Sequence, residues 1–170
     1  MVEWVDVQFV DGLNWRLTAS AKGLRSIEFN PEGIPGGSPN EENGFLREAI
    51  NQLEAYFRGE LREFQLTLDF EGTDFQKRVW RQLETIPYGQ TRSYTQIAEA
   101  IGSPRAVRAV GAANGANPIP IVVPCHRVIG ASGKLVGYGG GLPLKKRLLE
   151  LEGIGVTQPL LAGCGPGLVP

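Results

Sequence analysis

The chain is short of the residues that usually announce a metal centre or a secreted scaffold. Its 170 residues include two cysteines, one histidine and one methionine. Cys125 and Cys164 are 39 positions apart, the second in a Gly- and Pro-rich tail. That spacing builds no disulfide framework and points to a reducing compartment. Two thiols and one imidazole also fall short of the usual four ligands of a zinc site. No apolar run approaches the roughly 20 residues that cross a bilayer. The opening MVEWVDVQFV holds acids where a secretion signal has bases and then an apolar stretch. These absences predict a cytoplasmic protein without membrane contact. The length allows one sizeable core or two small ones.

Charge is scarce in total and uneven in place. The formal net charge is -1. Residues 1–74 carry 6 Lys and Arg against 14 Asp and Glu, a balance of -8. Residues 75–153 carry 11 against 4, a balance of +7, and the last 17 residues carry none. A basic half beside an acidic one suggests that the second half meets a polyanion. Mutual neutralisation of the two halves explains the totals equally well.

What is present divides at about residue 72. Trp4–Val10, Leu13–Ala19 and Leu24–Phe29 are β-type runs separated by Asp11-Gly12 and Lys22-Gly23 turn signals. Residues 30–44 are turn-formers and acids, hence a loop. Phe45, Leu46, Ala49, Ile50, Leu53, Tyr56 and Phe57 then repeat at helical spacing. The predicted N-terminal unit, residues 1–72, is a small antiparallel sheet with one helix. Its acids read as a solvated surface.

Residues 73–155 read as mainly helical. Thr73-x-x-Gln76 is a capping box for a helix with Phe75, Val79, Leu83 and Ile86 on one face. Ser93-x-x-Gln96 caps another, which Gly102 ends. Ser103-Pro104 reads as the cap and first residue of the next, RAVRAVGAANG. Two helices across a short Gly-containing turn make a helix-turn-helix pattern. The second is nearly bare, with Arg105 and Arg108 standing out. A slim arginine-bearing helix suits the minor groove of DNA, which is only about 6 Å wide. It equally suits tight packing on a neighbour.

Pro118, Pro120 and Pro124 bracket an apolar piece, read as stiff and extended, that delivers Cys125 followed by His126 and Arg127. A thiol of ordinary pKa, about 8.5, is mostly protonated at neutral pH, and only its thiolate attacks well. His126 is the only imidazole to take that proton. Adjacent side chains on an extended segment diverge, which disfavours a thiol hydrolase and favours relay through one water. A carboxylate would then fix the other ring nitrogen. A helix-turn-helix regulator without chemistry would leave the Cys-His pair unexplained.

PCHRVIG, with NPIPIVV before it and GKLVGYGGGLPLKKRLLELEG after, resembles the O6-alkylguanine-DNA alkyltransferases, also called methylated-DNA–protein-cysteine methyltransferases. The resemblance runs from Thr73 through EGTDFQKRVW, IPYGQTRSY and SPRAVRAVGAANGANP to Gly153, and QLEAYFRGELREF also fits. It implies an N-terminal α/β domain of ribonuclease-H-like shape and a helical C-terminal domain with the helix-turn-helix. It implies repair by direct reversal in double-stranded DNA, once per molecule, without cofactor or metal, by a monomer. Cys125 would accept the alkyl group of O6-alkylguanine, His126 draw off the thiol proton through water, and Glu152 orient His126. Tyr94 would hydrogen-bond the leaving guanine, and Asn117 act as a structural hinge. Arg108 would replace the flipped base in the stack, with Ser93, Arg105 and Ala106 as further DNA contacts. Val128, Tyr138, Gly139, Gly140 and Pro120 would line the base pocket, with Asn114-Gly115-Ala116 at its edge. The presence of Cys125 argues against a lesion-binding relative that lacks it. Glu99, Glu150, Lys145, Lys146 and Arg147 read as solvated or phosphate-facing. The tail 156–170, with Cys164, falls outside the pattern and reads as flexible.

Overall fold

A computed structural model describes residues 1–9 and 12–156. The chain forms two compact units, Met1–Glu71 and Gly72–Pro170. Cys164 and the end of the first expected strand lie outside the described residues.

The first unit is built on a four-stranded sheet in the order β3-β2-β1-β4. Strands β1 (Glu3–Gln8), β2 (Asn14–Ser20) and β3 (Gly23–Phe29) are antiparallel neighbours. The register aligns Val5 with Leu17 and Leu17 with Ile27, placing three buried aliphatic residues in one row. On the other face Asp6 pairs with Arg16 and, one row along, Thr18 with Ser26. Both are cross-strand pairs of the kind that fix a register: Arg16 grips the Asp6 carboxylate at 2.6 and 2.7 Å, and the two hydroxyls meet at 2.7 Å. Helix α1 (Gly44–Phe57), capped by Asn43, turns Leu46, Ala49, Leu53 and Tyr56 inward and packs on β2 and β3. Trp15, fully buried, has Phe9, Phe29 and Phe57 around it, with ring centroids 4.7 to 5.6 Å away.

The sheet is not wholly antiparallel, and residues 30–44 are not all loop. Ser38–Pro39 forms β4, parallel to β1. Ser38 N–H donates to Val2 O and Asn40 N–H to Trp4 O. Pro39 between them sits on an edge strand, where its missing N–H leaves no ladder bond unmade.

The second unit is helical. Helix α2 (Asp74–Glu84) starts from Thr73 and α3 (Tyr94–Ala100) from Ser93, each with both hydrogen bonds of a capping box in place. Trp80 is buried on α2, and its indole N–H donates to Ala113 O at 2.8 Å. That bond ties α2 to α4 (Val107–Gly115).

Helix α4 starts later than Ser103-Pro104 suggested. Its N-cap is Ala106, with no side-chain cap. Ala106 N–H donates to the Ser103 carbonyl at 2.9 Å, closing a turn with Pro104 and Arg105 at its centre. The Ser103 hydroxyl is taken by Arg78, which also donates to Ile101 O at 2.6 Å. Arg105 therefore stands in the turn rather than on the helix. Short strands β5 (Arg92–Ser93) and β6 (Val128–Ile129) pair in parallel, and α5 (Leu142–Leu151) follows with proline in its first turn.

Candidate active site

The segment before Cys125 is a tight turn, not an extended rod. Val123 N–H donates to Ile119 O at 2.9 Å. Ile121 sits at φ +73°, a left-handed conformation that a β-branched residue adopts only at a cost of order 1–3 kcal/mol. The Ile121 amide is among the groups that oppose the upward push of burial on the Cys125 thiol. Asn117 fastens the same turn, donating to Val123 O at 2.8 Å and accepting from Ile119 N–H at 3.0 Å. Its side chain also favours the ionised form of the Cys125 thiol.

Cys125, His126 and Arg127 form one turn of 3₁₀ helix, which corrects the expectation of an extended strand. Divergence of neighbouring side chains survives the correction, since three residues per turn separate them by about 120°. Cys125 is 5% exposed and His126 is fully buried. Burial pushes the Cys125 thiol up, opposed by its Asn117 hydrogen bond, the Lys145 charge and two backbone amides.

His126 Nε2 lies 2.9 Å from Glu152 Oε1. Glu152 is the C-cap of α5 and is itself buried. Burial raises its pKa, but hydrogen bonds from His126 and Arg127 outweigh that and hold it at about 2. An ionised carboxylate can only accept, so the facing Nε2 carries the proton of a neutral ring and Nδ1 is the basic nitrogen. Burial keeps the ring neutral by lowering its pKa, against the pull of Glu152.

Arg127, which the sequence reading left without a role, is the main anchor of this carboxylate. It donates to Glu152 Oε2 at 2.9 Å and to Oε1 at 2.8 and 3.2 Å. Its remaining arm reaches Ile86 O at 2.6 Å, and its guanidinium lies 5.8 Å from the Tyr88 ring centroid. Gly89, at φ +77°, brings its N–H within 3.5 Å of Glu152 Oε2. A fork-shaped donor fixes both carboxylate oxygens, which a lysine there would not do.

Lys145 corrects another expectation: it is not solvated but fully buried. Its ammonium donates to Val128 O at 2.7 Å and Val136 O at 2.8 Å. Burial pulls its pKa down to about 8, with the Cys125 charge acting the other way. The spacing 145, 148/149, 152 puts Lys145 and Glu152 on the helix stripe that carries buried Leu148 and Leu149, a signal legible in LPLKKRLLELEG. Arg147 and Glu150 are exposed and Lys146 half-buried.

Tyr94, first residue of α3, is buried. Burial, and then the Cys125 charge, pushes its hydroxyl up to about 12, against a hydrogen bond from the Asn114 side chain. Asn114 also donates to the Cys125 carbonyl at 3.5 Å. Val128 and Tyr138 are buried, as is Pro120, while Gly139 is exposed and Gly140 intermediate. These residues lie with Cys125 in the second unit. Arg105 and Arg108 are exposed, and Ser93 and Ala106 partly so. An open cavity of about 500 Å³ lies at Ser103, Pro104, Arg105 and Ala106, on the turn before α4. Among the described residues no three of His, Cys, Asp and Glu cluster as metal ligands do, and no helix is long and apolar enough to cross a membrane.

Residues 74–154 match the 6-O-methylguanine DNA methyltransferase, DNA binding domain, and residues 15–70 the ribonuclease-like domain of the same family. The methylated-DNA–protein-cysteine methyltransferase of Mycobacterium leprae is 67% identical over 111 residues, 65% of this chain and 67% of that protein. The one from Methanosarcina acetivorans is 58% identical over 132 residues, 78% of this chain and 81% of that protein. The crystal structure of Mycobacterium tuberculosis OGT in complex with DNA superposes with a TM-score of 0.81 at 51% identity, covering 88% of this chain and 92% of that one.

Proposed function

The chain belongs to the 6-O-methylguanine DNA methyltransferase family, with an N-terminal sheet domain and a C-terminal helical DNA-binding domain, and we propose that it reverses alkylation of guanine in DNA. The observation that carries this reading is the buried chain Cys125, His126, Glu152, Arg127, in which an ionised carboxylate holds a neutral imidazole beside a thiol. His126 Nδ1 takes the thiol proton through one water as the thiolate attacks the alkyl carbon in line. The C–O6 bond breaks, the guanine leaves with a hydrogen bond from Tyr94, and a thioether remains on Cys125. A thioether has no leaving route, so each molecule acts once.

DNA enters at the α3–α4 pair, which we read as a helix-turn-helix. Its bare second helix meets the minor groove, and Arg108 occupies the space of the extruded base. Ser93, Arg105 and Ala106 meet the duplex beside it, and Val128, Pro120, Tyr138, Gly139 and Gly140 line the base pocket. Asn117 holds the turn of Cys125 to the end of α4. The sheet domain is ribonuclease-H-like in this reading, and the protein works as a cytoplasmic monomer without cofactor.

Incubation with a duplex carrying O6-methylguanine, followed by intact mass, adds one methyl on the peptide of Cys125. An unchanged mass beside an active control removes the proposal, as does appreciable transfer by Cys125→Ser. Arg108→Ala slows transfer from duplex DNA by roughly tenfold, a share of the few kcal/mol that base extrusion requires. The same variant reacts normally with free O6-benzylguanine, which needs no flipping. Equal losses on both would show that Arg108 serves the fold instead.

A further inference from the structure

Arg78 is exposed on α2, yet its guanidinium is committed to groups far along the chain. It donates to Ile101 O at 2.6 Å and to the Ser103 hydroxyl at 3.3 Å, 23 and 25 positions later. Both acceptors lie between α3 and α4. Ile101 is the C-cap of α3, so its carbonyl is among those that a helix end leaves open. Ser103 is placed to cap α4, but α4 starts at Ala106 without a side-chain cap. The Ser103 carbonyl accepts from Ala106 N–H at 2.9 Å, so a grip on Ser103 passes to the N-cap of α4. The turn that leads into α4 is thus held from α2 rather than by a cap of its own.

A second bond from the same helix reaches the far end of α4. Trp80, two residues after Arg78, donates its indole N–H to Ala113 O at 2.8 Å. Ala106 and Ala113 stand about 10 Å apart along a helix axis. A helix gripped at one point can pivot about it, whereas two grips that far apart fix both its position and its tilt. Trp80 supplies the grip in the core. Arg78 supplies the other, at the end where Arg105 and Arg108 stand exposed. An arginine that enters a base stack has to arrive in register, and a displacement of about 1 Å can cost about 100-fold in rate.

We propose that Arg78 is a positioning residue for base extrusion: by holding Ile101 and Ser103 it sets the approach of α4, so that Arg108 enters the duplex where the extruded base has left. The proposal rests on the alkyl-transfer reading above and on entry of DNA at the α3–α4 pair. It gives α2, which that reading leaves without a task, a share in the encounter with DNA. Arg78 touches no reacting atom and acts through Arg108. The turn of Cys125 is anchored by other groups, Asn117 and the Arg127–Glu152 pair, and does not depend on it.

The test follows single-turnover alkylation of Cys125 by intact mass, from a duplex carrying O6-methylguanine and from free O6-benzylguanine. Arg78→Met keeps the apolar stem and removes the donors. It slows transfer from the duplex by about fivefold and leaves reaction with the free base at the wild-type rate, because misplacing α4 affects only extrusion. Added to Arg108→Ala, it slows the duplex reaction no further, since a residue that acts through Arg108 loses its effect when Arg108 is gone. Should Arg78→Met not fold, Arg78→Gln, with a shorter reach, answers the same questions. A merely structural role slows both substrates alike or neither, and either result overturns the proposal. So do losses that multiply in the double variant. Binding to an undamaged duplex separates positioning from a direct phosphate contact. If Arg78→Met lowers the slope of log affinity against log salt by about one, Arg78 itself meets the backbone and the proposal falls. An unchanged slope supports positioning. No transfer by the wild-type protein from either substrate removes the alkyl-transfer reading itself, an outcome distinct from these.

Discussion

The two units of this chain use their buried space differently. The first fills its core with rings: Trp15, Phe9, Phe29 and Phe57, with Tyr56 against Phe57 and Phe64. Its ion pairs each keep at least one partner in solvent, as in Arg16–Asp6, Arg25–Glu71, Arg47–Glu42 and Arg58–Glu60. The second unit also buries a cluster of charge. Glu152, His126 and Arg127 have side chains 0, 0 and 7% exposed, and Lys145 is equally hidden. Aromatic packing stabilises at little chemical risk. Buried charge is costly to desolvate and is kept where geometry compensates it or function requires it. The first unit is therefore organised for stability, and the second sacrifices some stability to hold a reactive group in a fixed state.

The largest expected effects come from striking each core at its own centre. Glu152→Gln leaves Arg127 buried without its carboxylate and costs about 3–5 kcal/mol in denaturant unfolding. Transfer from O6-methylguanine DNA falls with it. Trp15→Ala costs a similar 3–5 kcal/mol through the cavity it opens, yet the folded protein, assayed well below its melting point, transfers at the normal rate. If Trp15→Ala lost transfer as fully as Glu152→Gln while folded, the division between the units would fail.

The next effect is in pH. The folded-state pKa of Lys145, at about 8, is depressed below its ordinary value, so the folded protein binds fewer protons than the unfolded chain between that value and about 10.4. Stability contributed by this residue therefore rises with pH across that window. Measured as the difference between wild type and Lys145→Met, the rise is about 3 kcal/mol at full extent. A flat difference would mean that Lys145 is solvated in the folded protein. Glu152 has the opposite sense: depressed to about 2, it contributes stability above pH about 4.3 that is lost as pH falls toward 2. The smallest effect belongs to the exposed pair Arg58–Glu60. Arg58→Ala shifts unfolding by at most about 0.5 kcal/mol, and a larger loss would show that the first unit depends on charge after all.

Local chemistry was legible in the sequence where one short segment decides it. The two capping boxes, the β-runs and the stripe of α1 each depend on neighbours within a few residues, and they form near the expected positions. Ser103 misled because cap and turn use the same residue types. Whether its hydroxyl or its carbonyl is engaged depends on Arg78, 25 positions earlier. β4 was invisible because two residues carry no period, and its partner strand lies at the other end of the unit. In the site, the Cys-His adjacency was readable and Glu152 followed from the family resemblance, while the role of Arg127 depends on Glu152 25 positions later and on the Ile86 carbonyl 41 positions earlier. The burial of Lys145 had a signal in its helical spacing, but lysine is almost never fully buried unless paired, and its partners, the Val128 and Val136 carbonyls, carry no side-chain signal.

The single turn Cys125–Arg127 also has a consequence for how this stretch can change. Its three consecutive side chains are the Cys125 thiol, proposed to meet the alkyl group, and those of His126 and Arg127, which reach Glu152 from neighbouring positions. One added or deleted residue inside it would rotate every side chain into another's sector, presenting arginine where the thiol belongs. This stretch is thus intolerant of changes in length, and side chain and spacing must be kept together here for the thiol to reach its target.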